Sequence, residues 1–305
     1  MSGPLLLIAA GAHAQNQGQE NWGAPEIVEV EAPPGPAVWH LTRGDSEVWI
    51  LGTVGAMPDG LKWNKDYLAE LLDGARAILM PPRPSIGLFE GAWFLLTNGS
   101  KFSLPRGQSL EATLPADIES RFAALRERLG KDAEHYRTDT PLRAALRIQE
   151  DLAGKLDLTR DEPLDTIRRL ARDKHVPTAP VAKYEVLDAA RDVLKLTPAQ
   201  QQVCLGQSVE DANWDLSHAS AAADAWAVGE SQLRRVHLAD CVIAAVHSVA
   251  DISERDVADY TAAINDALGK AGKTVAVIDI GPLLRKNGVV ERLEALHVTV
   301  EGPAE

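Results

Sequence analysis

The chain has 305 residues, 45% hydrophobic and 25% charged, an ordinary globular composition with enough length for one large domain or two small ones. Its formal net charge of −13, from 31 Lys and Arg against 44 Asp and Glu, works against nucleic acid or an anionic membrane surface as partner, since both need a concentrated basic face. Lys and Arg are scattered beside acids, as in RERLGKD and DTIRRLARDK, the pattern of solvated helix faces.

The first residues, MSGPLLLIAAGAHAQNQ, carry a short apolar run at 5–10 and then Ala12-His13-Ala14. That small-x-small pattern predicts a signal peptide over 1–14 and a periplasmic or secreted product, although no Lys or Arg precedes the run. No other stretch holds about 18 successive apolar residues, so no spanning helix is predicted. Residues 15–36, polar and then Pro-rich (EAPPGPA), read as an extended linker.

The fold is predicted to begin at 37. AVWHLTR and SEVWILGT flank Gly44-Asp45, two β-rich runs around a hairpin dipeptide. Trp39, Leu41, Trp49 and Leu51 alternate and are expected to share one side. Residues 64–75 predict a helix with Leu68, Leu71, Leu72 and Ala75 on one face, and 76–80 a short buried strand. Pro81-Pro82-Arg83-Pro84 is expected to end all regular structure there. The apolar IGLFEGAWFLLT that follows has a periodicity that fits helix and strand alike.

Helices dominate the middle. LPADIESRFAALRERLG places Ile118, Phe122, Leu125 and Leu129 on one stripe, and Thr140-Pro141 opens another helix with a capping residue before a first-turn Pro. Glu162-Pro163 opens a third. A strand is expected over 176–182, a helix over 185–196, and a long helical region from Thr197-Pro198 to about 249. A helix over 256–270, a strand over 273–280, a helix over 289–295 and a strand over 297–301 complete the chain. The class is α/β: a mixed central sheet formed by N- and C-terminal strand segments around a largely helical middle, as a single domain over 37–303. Cys204 and Cys241 suit an exported protein as a disulfide, the favoured reading, or as buried small hydrophobes.

Two stretches stand out, VWILGTVGAMPDGLKW at 48–63 and VAVIDIGPLLRKNGVV at 275–290. Each runs from an apolar strand into a Gly-bearing turn and then towards a helix, and ligands in α/β sheets sit outside such strand ends. The cleft turns to watch are Gly52, Thr53, Gly55 and Asp59 in the first, and Asp279, Gly281 and Gly288 in the second.

With Pro36–Trp39, the LGT at 51–53, the Pro-Asp-Gly-Leu at 58–61, AWAVGE at 225–230 and the closing NGVVERLEALHVTV, the chain resembles the TraB/GumN family. That family is related to the Tiki-type proteases and more loosely to ChaN and erythromycin-esterase-like folds. The resemblance implies metal-assisted hydrolysis, built on two Gly-x-x-His turns and a Glu at a strand end. Matched position by position, this chain has Gly55 and Pro282 where the two His are expected and Pro81 where the strand should end in Glu. Ala182-Lys183-Tyr184 stands for the family's Leu-Glu-Thr, and Glu254-Arg255-Asp256 for its Arg-Asn. Gly and Pro offer no side-chain donor to a Lewis-acid metal.

The resulting expectation is a catalytically degenerate binding or regulatory module, for a protein or small ligand not nameable from the sequence, with no metal and no cofactor. The alternative is a metalloprotease-like hydrolase with a rearranged site around Asp279, which Lys183, Glu185, Arg255 and Arg83 could approach as acid–base partners. His40 and His297, on the first and last strands, are a further possible pair.

Overall fold

The computed structural model describes residues 35–55, 57–159, 162–230 and 237–303, with the side chains of 237–240 excepted. The expected signal peptide and nearly all of the expected linker lie outside the described residues. The predicted hairpin forms as β1 (Val38–Arg43) and β2 (Ser46–Thr53), turning through Gly44 at φ +58°. Next come β3 (Met57–Pro58), α1 (Lys65–Leu72), β4 (Ala75–Met80), β5 (Arg83–Ser85), α2 (Leu88–Asn98), α3 (Ala116–Arg128) and α4 (Pro141–Lys155). The middle continues through β6 (Leu158–Thr159), α5 (Leu164–Asp173), β7 (Thr178–Pro180), β8 (Lys183–Glu185), α6 (Leu187–Val193) and α7 (Pro198–Ala227). The chain closes with α8 (His237–Ala245), α9 (His247–Leu268), β9 (Gly272–Asp279), α10 (Ile280–Leu284), α11 (Val289–Ala295) and β10 (Thr299–Glu301).

Six strands form a mixed sheet in the order β10-β1-β2-β9-β4-β7. Strands β2, β9, β4 and β7 run parallel, while β1 is antiparallel to both β2 and β10. As predicted, the sheet joins the two ends of the sequence, and β7 is the one strand it takes from the middle. Along β9 the side chains alternate between two cores. Ala276 and Ile278 pack with Val257, Tyr260 and Ile264 of α9 and with α10 and α11, whereas Val275 and Val277 pack with Leu68 and Leu72 of α1 and Ile167 of α5. This alternation is the period of a strand buried on both faces. A separate apolar cluster joins α3, α4 and α7 through Phe122, Leu125, Ile148, Leu205 and Val209.

The turn chemistry explains the element starts. Asn64 caps α1 by accepting from the Tyr67 N–H at 2.9 Å, and Thr140 and Thr197 cap α4 and α7, each followed by Pro in the first turn. Cys204 of α7 and Cys241 of α8 form a disulfide, with Cα atoms 5.5 Å apart. Among the described residues no helix is long and apolar enough to cross a membrane.

Three local expectations are corrected. A two-residue turn pairs Arg43 with Ser46, so Trp39 faces Ile50 and Leu41 faces Val48 across the hairpin. Trp39 and Leu41 therefore share one core, while Trp49 and Leu51 point to the other face of the sheet. Second, the proline run does not end regular structure, because Arg83–Ser85 pairs in parallel with Lys183–Glu185, a short ladder separate from the main sheet where Pro is tolerated. Third, the β1–β10 register sets His40 opposite Glu301 and ends with Thr42 opposite Thr299. His40 instead stacks on Trp49 and contacts Glu47 and Glu301, so it is not paired with His297.

Candidate functional site

The carboxyl ends of the parallel strands lie on one edge of the sheet, with Thr53 in register with Asp279. A cavity of about 410 Å³ opens there. Its walls are Thr53, Val54 and Gly55 after β2, Pro81 and Pro82 after β4, Asp279 and Pro282 at the start of α10, Gln149 of α4, Glu162–Leu164 before and within α5, and Asp256 and Tyr260 of α9.

Two glycines fix the turns. A Cβ on Gly52 would lie 2.6 Å from the Trp39 ring, and one on Gly288 would lie 2.5 Å from the Arg285 carbonyl oxygen, closer than any packed carbon sits. Trp226 donates its Nε1–H to the Gly52 carbonyl at 2.8 Å, which anchors the end of β2. The Thr53 hydroxyl is directed at the Ile278 carbonyl, 3.3 Å away across the β2–β9 pair. Asp279 caps α10 by accepting from the Gly281 N–H at 2.8 Å.

The polar character of the cavity comes from acceptors. Asp256 is half-buried, and its Oδ1 has no hydrogen-bond partner. Burial, reinforced by the nearby Asp279 and Asp259 and opposed by Arg285, pushes its carboxyl up to about 6. Glu162 accepts from Thr166 Oγ1 at 2.8 Å and Lys65 Nζ at 3.3 Å through Oε1, while its Oε2 is buried without a partner. Tyr260 donates to the Val277 carbonyl at 2.8 Å, and burial, with Asp256 and Asp279 adding, pushes its phenol well above the usual range. Among the described residues no Lys, Arg or His lines the cavity.

Of the residues singled out from the sequence, Thr53, Gly55, Pro81, Asp279 and Pro282 line the cavity, and Gly52, Gly281 and Gly288 shape its turns. Asp59 is exposed and ties its N–H to the Asp157 carbonyl at 2.7 Å beside the β3–β6 ladder. Lys183 and Glu185 are exposed on β8, opposite Arg83 and Ser85 and off the cavity lining. The Arg255 guanidinium lies 5.0 Å from the centre of the Tyr184 ring, and Tyr184 donates to Asp259 at 2.8 Å. Asp256, Glu162 and Gln149 were not picked out as site residues. The signal that existed for Asp256 is Tyr260 four positions on, which shares its helix face.

The metal implied by the family resemblance does not fit this donor set. Gly55, Pro81 and Pro282 contribute no side-chain ligand, and among the described residues no three His, Cys, Asp or Glu side chains converge closely enough to hold an ion. In comparisons with known proteins, the family model described as "TraB/PrgY/gumN family" matches residues 37–302. No curated protein and no solved structure matches the chain.

Proposed function

The chain belongs to the TraB/PrgY/gumN family, and on that premise we propose that it is an exported, catalytically degenerate member whose strand-end cavity binds a small ligand. The observation that carries the proposal is the cavity itself: it lies where an α/β sheet holds ligands, and its lining has Gly55 and Pro282 at the two turn positions, and Pro81 at the strand end, where the family resemblance implies donors. What remains among the described residues is an apolar wall of four prolines with three carboxylates and no cationic side chain in the lining. Such a lining favours a ligand with an apolar body and a cationic or donor-rich head, which can meet Asp256 and Asp279. Export is supported by the Cys204–Cys241 disulfide, which persists in oxidising compartments.

Two measurements test this reading. Metal analysis of purified protein should find no stoichiometric divalent ion, and its melting temperature should not move with a chelator. A thermal-shift screen should yield amine- or guanidinium-bearing ligands whose affinity falls about tenfold or more in Asp256→Asn. One tightly held metal ion per chain, lost in Asp279→Asn, would overturn the proposal.

One observation favours a second reading. Asp256 and Asp279 share the cavity, and burial raises the Asp256 carboxyl to about 6, the direction that sets a general acid apart in carboxylate pairs whose environments differ. Under that reading the protein is a metal-free hydrolase, and activity on peptide or ester substrates should vanish in both Asp256→Asn and Asp279→Asn. Equal background rates in wild type and both variants would leave the binding reading standing.

A further inference from the structure

Helix α2 is built inside out. None of its residues is buried; Leu88 is 90% exposed, Phe89 92%, Trp93 65%, Leu95 65% and Leu96 77%. At about 100° per residue, Leu95, Leu88, Ala92, Leu96, Phe89 and Trp93 fill a continuous arc of about 160° with no polar side chain. Gly91, Phe94 and Asn98, the half-buried positions, lie on the opposite side. An apolar face normally turns to the core; here it turns to solvent. Ile86, 51% exposed, extends the patch.

We propose that α2 is a lipid-docking element that lies in the interfacial plane of a bilayer and buries this arc among headgroups and upper acyl chains. The arc is wider than the seam through which two helices meet, so a second copy would leave part of it wet, whereas a lipid surface covers all of it. Eleven residues span about 16 Å, half of the roughly 30 Å hydrocarbon core, so the helix can rest in the surface but not cross. Trp93 borders the polar Thr97 and Glu90 side, the position aromatic rings take at the membrane–water boundary.

Charge points the same way. The chain as a whole carries −13, but the stretch from Pro81 to Leu110 has Arg83, Lys101 and Arg106 against Glu90 alone, a local excess of 3 − 1 = +2. All three cations are exposed and flank the helix in sequence, Arg83 before it and Lys101 and Arg106 after it, where lipid phosphates would attract them.

The test is vesicle flotation of the full chain with phosphatidylcholine vesicles, with and without phosphatidylglycerol. Wild type should float with both and more strongly with the anionic lipid. Phe89→Ser/Leu96→Ser should lower partitioning about tenfold or more with an unchanged melting temperature, since both side chains are exposed. Lys101→Glu/Arg106→Glu should remove only the preference for phosphatidylglycerol, and brominated acyl chains should quench a fluorescence component that Trp93→Phe lacks. The proposal is overturned if wild type ignores both vesicle types or if the double serine variant binds equally well. It is also overturned if wild type is a lipid-free dimer that the serine variant dissolves, which would make a second copy the occupant.

Discussion

At the scale of single residues, two aspartates give opposite pH signatures. Asp256 is pushed up to about 6 in the folded chain, chiefly by burial, against about 3.9 unfolded. Between those values the native state holds more protons than the unfolded state, so this group's contribution to stability falls as pH rises from about 4 to about 6 and stays lost above that. Asp256→Asn removes the penalty. It should be more stable than wild type by about 1–2 kcal/mol at pH 8, with the difference vanishing below about pH 4, as read from urea unfolding at each pH. Asp151 is the reverse case. Burial raises its carboxyl, but hydrogen bonds from Lys131 Nζ and Tyr136 Oη at 2.6 Å each, and from His135 Nε2 at 2.8 Å, outweigh burial and hold it low. Its contribution is present above the unfolded pKa and is lost as pH falls through the folded one. Asp151→Asn should therefore cost about 2 kcal/mol at pH 7 and much less in acid, measured in the same way.

At the scale of elements, what could be read from the sequence depended on whether the signal was local. Thr197 accepts from the Gln200 N–H while Gln200 Oε1 accepts from the Thr197 N–H at 2.9 Å, with Pro198 between them. Every part of that cap is contained in four residues, and so the start of α7 could be read directly. Thr197→Ala should cost about 1 kcal/mol in equilibrium unfolding; no change would mean that the tertiary packing of α7 alone fixes its start. Strands β5 and β8 had no such signal, because three residues each, one of them Pro84, become a ladder only when their partners arrive from a hundred positions away. The hairpin residues were all legible as strand, and the side each tryptophan takes was not, since that depends on the parity of one turn. For α2 the periodicity was silent because Gly91 and Phe94 on its half-buried side leave the run apolar almost all round, with Glu90, Thr97 and Asn98 the polar interruptions.

At the scale of the molecule, the cavity was half legible. Apolar strands ending in glycine turns marked its sheet side through Thr53, Gly55 and Asp279, whereas Asp256 reads in sequence as one more acid beside Asp251, Glu254 and Asp259 on a solvated helix. Only the packing of α9 over the strand ends separates it from them. Helix α7 couples the two halves of this architecture. Leu205 and Val209 sit in the helical cluster and Trp226 and Ala227 in the sheet core, both on one helix of 30 residues, about 45 Å long from end to end. The disulfide ties the near end of that helix to α8, immediately before α9 packs on the sheet, closing a loop with a sequence separation of 37. Loop-closure entropy at that length is worth about 4 kcal/mol if the native geometry is unstrained, a large share of a typical domain's stability. Cys204→Ser/Cys241→Ser should accordingly lower the unfolding free energy by about 3–4 kcal/mol. A thiol assay on unreduced, denatured wild type should find none free. Two free thiols, or a double variant as stable as wild type, would remove both the clamp and the physical support for an oxidising compartment. Under the binding function proposed above, the loss should also lower ligand affinity, because Trp226, at the far end of the same helix, holds the Gly52 carbonyl beside the cavity-lining Thr53.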